Sequence, residues 1–536
     1  MEHMDTEQIR NEIEQGNTAL GIEFGSTRIK AVLVDGKNRP IAQGSYDWEN
    51  RFEQGIWTYH LEDAEAGLKS CFRSLKEDVK RKYNITLHTI GSMGFSAMMH
   101  GYMAFDQNNE LLVPFRTWRN TMTAEASRKL TELFHCPIPQ RWSIAHLYQA
   151  VLNGEEHVGR IRYLTTLDGY IHWKLTGKKV LGVGQASGMF PIDTEQKNYR
   201  KDLAECFDQL TADKKYPWKV LEILPEVLAA GRPAGALTVD GAAFLDPDGD
   251  LEPGIPVCPP EGDAGTGMVA TNSVEPGTGN VSAGTSIFSM VVLEHPLSDV
   301  YPELDLVTTP DGEPVAMVHC NNCTSDLNAW VNMFREAAEL FGCRMTAGEL
   351  YGKLFRKAME SKPSCKGLLS YCYLSGEHIT GLDQGRPLFT RTPDSELHLS
   401  DFMRLQLYTS MATLRMGMDI LVQRENIRLA RLLGHGGFFK TEGVGQKILA
   451  DALNVPVTVM ETAGEGGAWG MAILASFGRD NHNLCLTEYL NSYVFGETGT
   501  LTEVPDEEGC LGFGQFMERF REGISIERAA VKCLRA

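Results

Sequence analysis

The sequence predicts a duplicated α/β fold: two domains of mixed β-sheet with flanking helices and a cleft between them. Three observations predict it. Strands followed by helices occur in the first half of the chain, and the same order returns in the second. Each half opens on a similar hairpin, Gly21-Ile-Glu23-Phe-Gly25-Ser26-Thr27-Arg-Ile-Lys30 in the first and Asn280-Val-Ser-Ala-Gly284-Thr285-Ser286-Ile-Phe-Ser in the second. Finally, 536 residues exceed what one hydrophobic core organises, so two or three large domains are expected.

Residues 20–48 read as three strands joined by tight turns, the second turn being Asp35-Gly36-Lys-Asn-Arg-Pro40. Residues 63–82 read as a helix whose apolar face is Leu68, Cys71, Phe72, Leu75 and Val79. A strand over Thr89-Ile-Gly-Ser-Met-Gly-Phe-Ser then leads into the loop Met99-His100-Gly101. From Trp118 to Leu210 the pattern is mostly helical, interrupted at Leu175-Thr-Gly177 and in the Gly-Ser-rich stretch 182–188. Residues 245–260 are rich in turn formers and read as a loop delivering the chain to Glu261-Gly262-Asp263-Ala264-Gly265. After the second hairpin come a long helix over 400–425, a strand over Ile427–Leu433 and a helix over 444–453. The Gly-rich phrase Ala463-Gly-Glu-Gly466-Gly467-Ala-Trp-Gly470 opens a further helix.

A formal charge of −19 argues against nucleic acid or an anionic membrane as partner, since both repel an acidic surface. No run approaches the length of a membrane span, the N-terminus has no apolar signal core, and twelve scattered cysteines read as reduced thiols. A cytoplasmic protein is expected, and a homodimer is possible.

Three familiar motifs are set aside. Gly434-His-Gly-Gly-Phe-Phe439-Lys440-Thr441 nearly spells a P-loop, but bulky Phe439 stands where the second glycine is required. Gly265-Thr-Gly267-Met-Val-Ala270 matches a loose dinucleotide fingerprint without the strand–helix context that gives it meaning. Cys320-Asn-Asn-Cys323 has metal-knuckle spacing but no second pair to complete four ligands, so structural thiols are the better reading.

The hairpin turns remain. Gly-Ser/Thr turns present N–H and hydroxyl donors, and two such turns facing each other would clamp a polyphosphate. Asp263, in a glycine-flanked loop with only Glu261 as a charged neighbour, reads either as a turn aspartate or as a catalytic carboxylate. His100 reads either as a core histidine or as a site residue.

These phrases occur in an order that resembles the FGGY carbohydrate kinase family, and most nearly its xylulokinase branch. The resemblance runs from Leu20 to Phe477. It is carried by the Glu23–Lys30 phrase; Met99-His100-Gly101; Asp168-Gly-Tyr-Ile-His-Trp-Lys-Leu-Thr-Gly177; Ala186-Ser187-Gly188; Gly262-Asp263; and Gly284-Thr285-Ser286. It continues through Tyr373-Leu-Ser-Gly-Glu377, Gly436-Gly437, Ile448-Leu-Ala-Asp-Ala-Leu and Gly467-Ala-Trp-Gly470.

The resemblance implies two actin-like (ribonuclease H-like) domains, 18–273 and 274–536, closing on ATP and a sugar. It implies that Gly25, Ser26, Thr27 and Lys30 face the phosphates from the first domain and Gly284, Thr285 and Ser286 from the second. Gly436 and Gly437 would accommodate adenosine. Met99, His100, Trp118 and Asp263 would meet the sugar, with Asp263 the catalytic base, and Glu23 and Asp263 would serve Mg2+. The activity implied is ATP-dependent phosphorylation of a terminal hydroxyl of a ketopentose, D-xylulose first and ribulose next. Glycerol, erythritol or a hexulose are the alternatives within the class. An actin- or chaperone-like ATPase switch, or a non-catalytic sugar binder, would use the same clamp; Met99-His100-Gly101 and Tyr373–Glu377 favour the kinases.

Two departures stand out. The family usually has aspartate where this chain has Glu23, and xylulokinases usually have asparagine where it has Ala264. The first moves a carboxylate by one methylene; the second removes an amide that could meet a sugar hydroxyl. The loop Arg116-Thr-Trp118-Arg119-Asn120 also departs from the usual Trp-Asn-Asp.

Overall fold

The first sheet is built from β1 (Ala19–Phe24), β2 (Arg28–Val34), β3 (Pro40–Asp47), β4 (Ser92–Ala97) and β5 (Glu261–Gly262), in the order β5-β4-β1-β2-β3. The structure is a computed structural model that describes residues 2–460, 466–496 and 499–534. The strands β1 and β2 form the expected hairpin, with Glu23 opposite Lys30. On its other side β1 runs parallel to β4, and β4 runs parallel to β5 with Ala97 opposite Gly262. That register brings the ends of β1, β4 and β5 together, and so sets the Gly25 turn, Met99 and Asp263 along one edge of the sheet.

Both faces of this sheet are covered, which is why β1 reads as a near-continuous apolar run rather than an alternating one. Helix Leu61–Tyr83 lies against β2 and β3 through Leu68, Cys71, Phe72, Leu75 and Val79, the face expected from its periodicity. Helix Gly466–Arg479 lies against β1, β2 and β4. It approaches so closely that a Cβ on Gly21 would stand 2.0 Å from the Ala468 carbonyl. Residues 463–465 of the phrase that opens this helix lie outside the described residues.

The second sheet repeats the plan. With β6 (Thr278–Ala283), β7 (Ile287–Val292), β8 (Pro314–Cys320), β9 (Arg431–His435), β10 (Val457–Met460) and β11 (Thr500–Glu503), its order reads β8-β7-β6-β9-β10-β11, and a seventh strand, Leu304–Thr308, pairs with β8 at the edge. The hairpin β6–β7 turns at Gly284, and β6 runs parallel to β9, as β1 does to β4. Helices Leu399–Asp419 and Val444–Leu453 pack with this sheet and with each other, and helix Glu507–Cys533 packs on both helices. The same strand order around a leading hairpin in both sheets is the duplication expected from the sequence.

The chain forms two compact units, and the second half returns twice to the first. Unit one comprises residues 1–274, 305–315 and 465–497; unit two comprises residues 275–304, 316–464 and 498–536. Helix Gly466–Arg479, late in the sequence, therefore belongs to the first sheet.

Two local expectations are corrected. Asp263 lies not in a loop but at the first residue of a helix, Asp263–Ala270, with Gly262 as its N-cap. Its two glycines make it a poor helix by propensity; packing against helix Gly466–Arg479 stabilises it instead. The stretch 182–188 likewise holds a short buried helix, Val183–Ser187.

Candidate active site

Asp263 is where three elements of the first unit converge. Its Oδ1 accepts a hydrogen bond from the Met99 N–H at 3.0 Å, tying the start of its helix to the chain leaving β4. Burial pushes its carboxyl above the ordinary aspartate range, opposed by backbone N–H donors from Met99 and Ala264. The Thr266 hydroxyl, one turn on, sits 3.3 Å from Ser96 Oγ of β4 and fixes the helix to the sheet.

Glu23 stands next to it. Burial raises its pKa to about 7, the negative charge of Asp263 adds to the rise, and Lys30 and the Ala468 N–H oppose it. Lys30 is its cross-strand partner on β2, so the alternation of the hairpin puts acid and base on one face. The extra methylene of Glu23 carries its carboxyl to the start of helix Gly466–Arg479. A Cβ on Gly467 would stand 2.3 Å from Glu23 Oε1, so this glycine gives the carboxyl room where it lies. The structure thus brings Glu23, Lys30, Met99, His100 and Asp263 into one neighbourhood.

His100 is buried at 5% exposure, with φ of 71°, a left-handed conformation that costs a non-glycine residue about 1 kcal/mol or more. Its Nδ1 lies 3.3 Å from the Gly188 carbonyl, and its Nε2 lies 3.1 Å from Nε of Arg141. Burial, then the Arg141 charge, holds it well below the usual histidine range, hence neutral. Trp118 is 38% exposed on a loop pinned to residue 57 by Asn120, whose side chain both accepts from Trp57 N and donates to Trp57 O. A backbone bridge between Tyr102 and Arg116 runs that loop beside Gly101, but no described contact joins Trp118 to Asp263.

The two Gly-Ser/Thr turns are braced alike. In the first, Gly25 N–H donates to Arg28 O (3.0 Å), Trp48 Nε1 donates to Gly25 O (2.7 Å) and the Tyr59 hydroxyl donates to Ser26 O (2.7 Å). In the second, Gly284 N–H donates to Ser286 O (2.9 Å), while Thr324 donates to Gly284 O from both its N–H (3.0 Å) and its hydroxyl (2.7 Å). With their carbonyls held from behind, both turns leave an exposed threonine, Thr27 or Thr285.

Asn322 and Glu377 secure the segment that braces the second turn. Asn322 Oδ1 accepts from the N–H groups of Leu374 and Ser375, and its Nδ2 donates to a Glu377 oxygen that also accepts from the Asn321 and Asn322 N–H groups. Burial raises Glu377 to about 7. Gly436, at φ of 101°, passes so near β6 that a Cβ would meet Ala283 O at 2.4 Å; Gly437 beside it faces open space. Phe439 fills the space next to Gly434 with its ring, which leaves no phosphate cradle there.

Sequence reasoning missed the polar layer behind Met99. Gln185 Nε2 donates to Asp168 at 2.5 Å, and Glu261 accepts from Gly184 N–H at 2.9 Å. Burial raises Asp168 to about 7; burial, then the Asp168 charge, raises Glu261 to about 8. Gln185 lies close before Gly188 and Glu261 close before Asp263 in the chain, which was the available signal. Arg141 and its ion-pair partner Asp305 had none, since they lie far apart in sequence.

Cys320 and Cys323 are buried, and burial raises both thiols far above the ordinary range. Among the described residues no group of three or more His, Cys, Asp or Glu side chains is placed to hold a metal. Likewise no helix is long and apolar enough to cross a membrane.

Comparison with known proteins gives a consistent picture. Residues 18–270 match the N-terminal domain of the FGGY family of carbohydrate kinases, and residues 279–478 match its C-terminal domain. A xylulose kinase from Haemophilus influenzae is 21% identical over 474 residues, covering 85% of this chain and 90% of its own. A gluconokinase from Bacillus licheniformis is 22% identical over 529 residues, covering 95% of each. The crystal structure of xylulose kinase from Rhodospirillum rubrum shares the fold with a TM-score of 0.77 at 19% identity, covering 96% of this chain and 99% of that one.

Proposed function

Because the chain belongs to the FGGY family of carbohydrate kinases, a family with the actin-like ATPase fold that uses ATP as phosphate donor, we propose that it phosphorylates a terminal hydroxyl of a ketopentose. D-Xylulose, giving D-xylulose 5-phosphate, is the leading acceptor. The xylulose kinases among the relatives support it; the gluconokinases and a glycerol kinase mark the range of alternatives, as do ribulose, erythritol and hexuloses.

The observation that carries this function is the placement of Asp263 at a helix start, oriented by the Met99 N–H. An alcohol is a poor nucleophile at neutral pH, so a carboxylate must take its proton as the bond to phosphorus forms. The raised pKa makes Asp263 a stronger base than a solvated aspartate. The acceptor lies against Met99 and His100, with Trp118 at its outer side. Lys30 and the Ser26 and Thr27 donors steady the phosphates, as do Gly284, Thr285 and Ser286; Gly436 and Gly437 give the adenosine room.

Two neighbouring carboxylates, with the charge of one raising the pKa of the other, fit a hard divalent cation that keeps most of its water. Glu23 and Asp263 would hold Mg2+ in this way, and it would neutralise charge on the transferring group. All twelve cysteines are free thiols, which suits a cytoplasmic protein.

A coupled ADP-release assay across pentuloses, hexuloses, polyols and aldonates tests the proposal. Acceptor-dependent ADP release, greatest with a ketopentose, is expected. Release that no acceptor stimulates would overturn it in favour of an ATPase switch.

A further inference from the structure

We propose that Glu261 is a positioning residue whose carboxyl ties the helix that carries Asp263 to the buried helix Val183–Ser187 and so aims the base. This rests on the assignment of Asp263 as the base, and it gives a task to a buried acid that the phosphate transfer itself does not use.

Glu261 is 2% exposed and lies two residues before Asp263, in the short strand β5. Its backbone is held on β4, with Glu261 opposite Ser96. Its side chain reaches helix Val183–Ser187. Gly182 caps that helix without a side chain, so the N–H groups of the first turn need an acceptor from elsewhere. Glu261 Oε1 accepts from Gly184 N–H at 2.9 Å, and the Gln185 N–H faces the same carboxyl. A main-chain bond from Gly182 N–H to Pro260 O, 2.8 Å long, runs alongside. The carboxyl is closely enclosed: a Cβ on Gly182 would stand 2.2 Å from Oε1, and one on Gly184 would stand 2.4 Å from Oε2.

Of the two helices that Glu261 joins, Val183–Ser187 is anchored by other bonds. Gln185 Nε2 donates to Asp168 at 2.5 Å, and Ser187 Oγ accepts from Thr308 N–H at 3.1 Å. Helix Asp263–Ala270 is short, contains Gly265 and Gly267, and starts from Gly262, which offers no side-chain cap. Its first turn therefore takes its place from what it is tied to. Met99 N–H holds the Asp263 carboxyl, Thr266 meets Ser96 of β4, and Glu261 holds the strand from which the helix begins. Without that last tie the entry to the helix is free to shift, whereas a base must sit within about 0.5 Å of its productive place.

What Glu261 supplies is reach rather than charge. Glutamine spans the same distance, and its oxygen can accept from Gly184 N–H. Aspartate keeps the charge but falls short by one methylene.

The test is steady-state kinetics on the full chain with the best acceptor of the ADP-release panel, comparing wild type, Glu261→Gln, Glu261→Asp, Gly184→Ala and Asp263→Asn. Turnover is referred to the folded fraction measured by urea unfolding, so that lost stability alone leaves kcat unmoved. Glu261→Asp is expected to lower kcat by about tenfold or more, with both KM values within about twofold of wild type. Glu261→Gln should recover kcat to within about threefold. Gly184→Ala, whose methyl displaces the same carboxyl, should lower kcat as Glu261→Asp does, and this readout stands even if Glu261→Asp does not fold. Wild-type kcat in folded Glu261→Asp or Gly184→Ala, beside an inactive Asp263→Asn, would overturn the role of Glu261 alone. A loss in Glu261→Gln as deep as in Glu261→Asp would overturn reach in favour of charge. Full turnover by Asp263→Asn would instead overturn the assignment of the base on which the proposal rests.

Discussion

Replacing Gly470 by alanine should disable the enzyme without touching any residue at the site. Gly470 lies on helix Gly466–Arg479, and its added Cβ would stand 2.0 Å from the backbone carbonyl oxygen of Thr266 and 2.8 Å from its carbon. A comfortable carbon–oxygen contact is about 3.3 Å, so the two helices must part by about 1.3 Å. The obstacle is backbone, so no rotamer change relieves it. Overpacking of this kind costs about 1–3 kcal/mol, and the better helix propensity of alanine returns about 1 kcal/mol. A net loss of about 0–2 kcal/mol in urea unfolding is expected.

The effect on rate should be larger than the effect on stability. Thr266 is one turn from Asp263, and its hydroxyl donates to Gly262 O (3.3 Å) and Asp263 O (3.2 Å), so the shift is carried to the base. A displacement of about 1 Å at a reacting group lowers turnover about a hundredfold. Gly514→Ala is the control: the same change in helix Glu507–Cys533, with nothing within 4 Å of the new methyl, should stabilise by about 0.5–1 kcal/mol and leave kcat unchanged. Wild-type stability and kcat in Gly470→Ala would refute the claim that this helix contact positions Asp263.

Three further outcomes are expected. Asn322→Ala should cost about 3 kcal/mol by stranding the N–H groups of Leu374 and Ser375 and the Glu377 carboxyl, and should raise the KM for ATP more than that for the acceptor. Equal changes in both KM values would contradict the bracing role. Burial keeps the proton on Glu23 up to about pH 7, whereas the unfolded chain releases it near 4.5. The folded state therefore binds more protons across that window, and stability should fall by about 3 kcal/mol as pH rises through it. Urea unfolding of Glu23→Gln at pH 5 and pH 8 should lack that contribution. Gly436→Ala should raise the KM for ATP or fail to fold, because its Cβ would press on Ala283 O from a left-handed backbone; a normal KM would remove the reason given for that glycine.

The parts of this protein legible in the sequence are those set by local pattern. The hairpins at Gly25 and Gly284 follow from β-branched runs around a Gly-Ser/Thr turn, and the helix at 61–83 follows from its apolar spacing. The helix at Asp263 was illegible because its stability comes from a partner two hundred residues away rather than from its glycine-rich sequence. The same holds for the site. Asp263, Met99 and His100 were found through a collinear series of phrases, yet the Arg141 guanidinium that His100 meets, and its ion-pair partner Asp305, come together only in the fold. Glu23 looked anomalous in sequence; the structure accounts for its length by the space that Gly467 leaves for its carboxyl.

The most direct test of the central claim is the turnover of Asp263→Asn with the best acceptor, measured together with ATP binding. The amide keeps the size of the side chain and can still accept from the Met99 N–H, but cannot take a proton from the acceptor. A fall in kcat of about a hundredfold or more with ATP affinity unchanged is the expected result. Turnover near that of the wild type would contradict the assignment of Asp263 as the base.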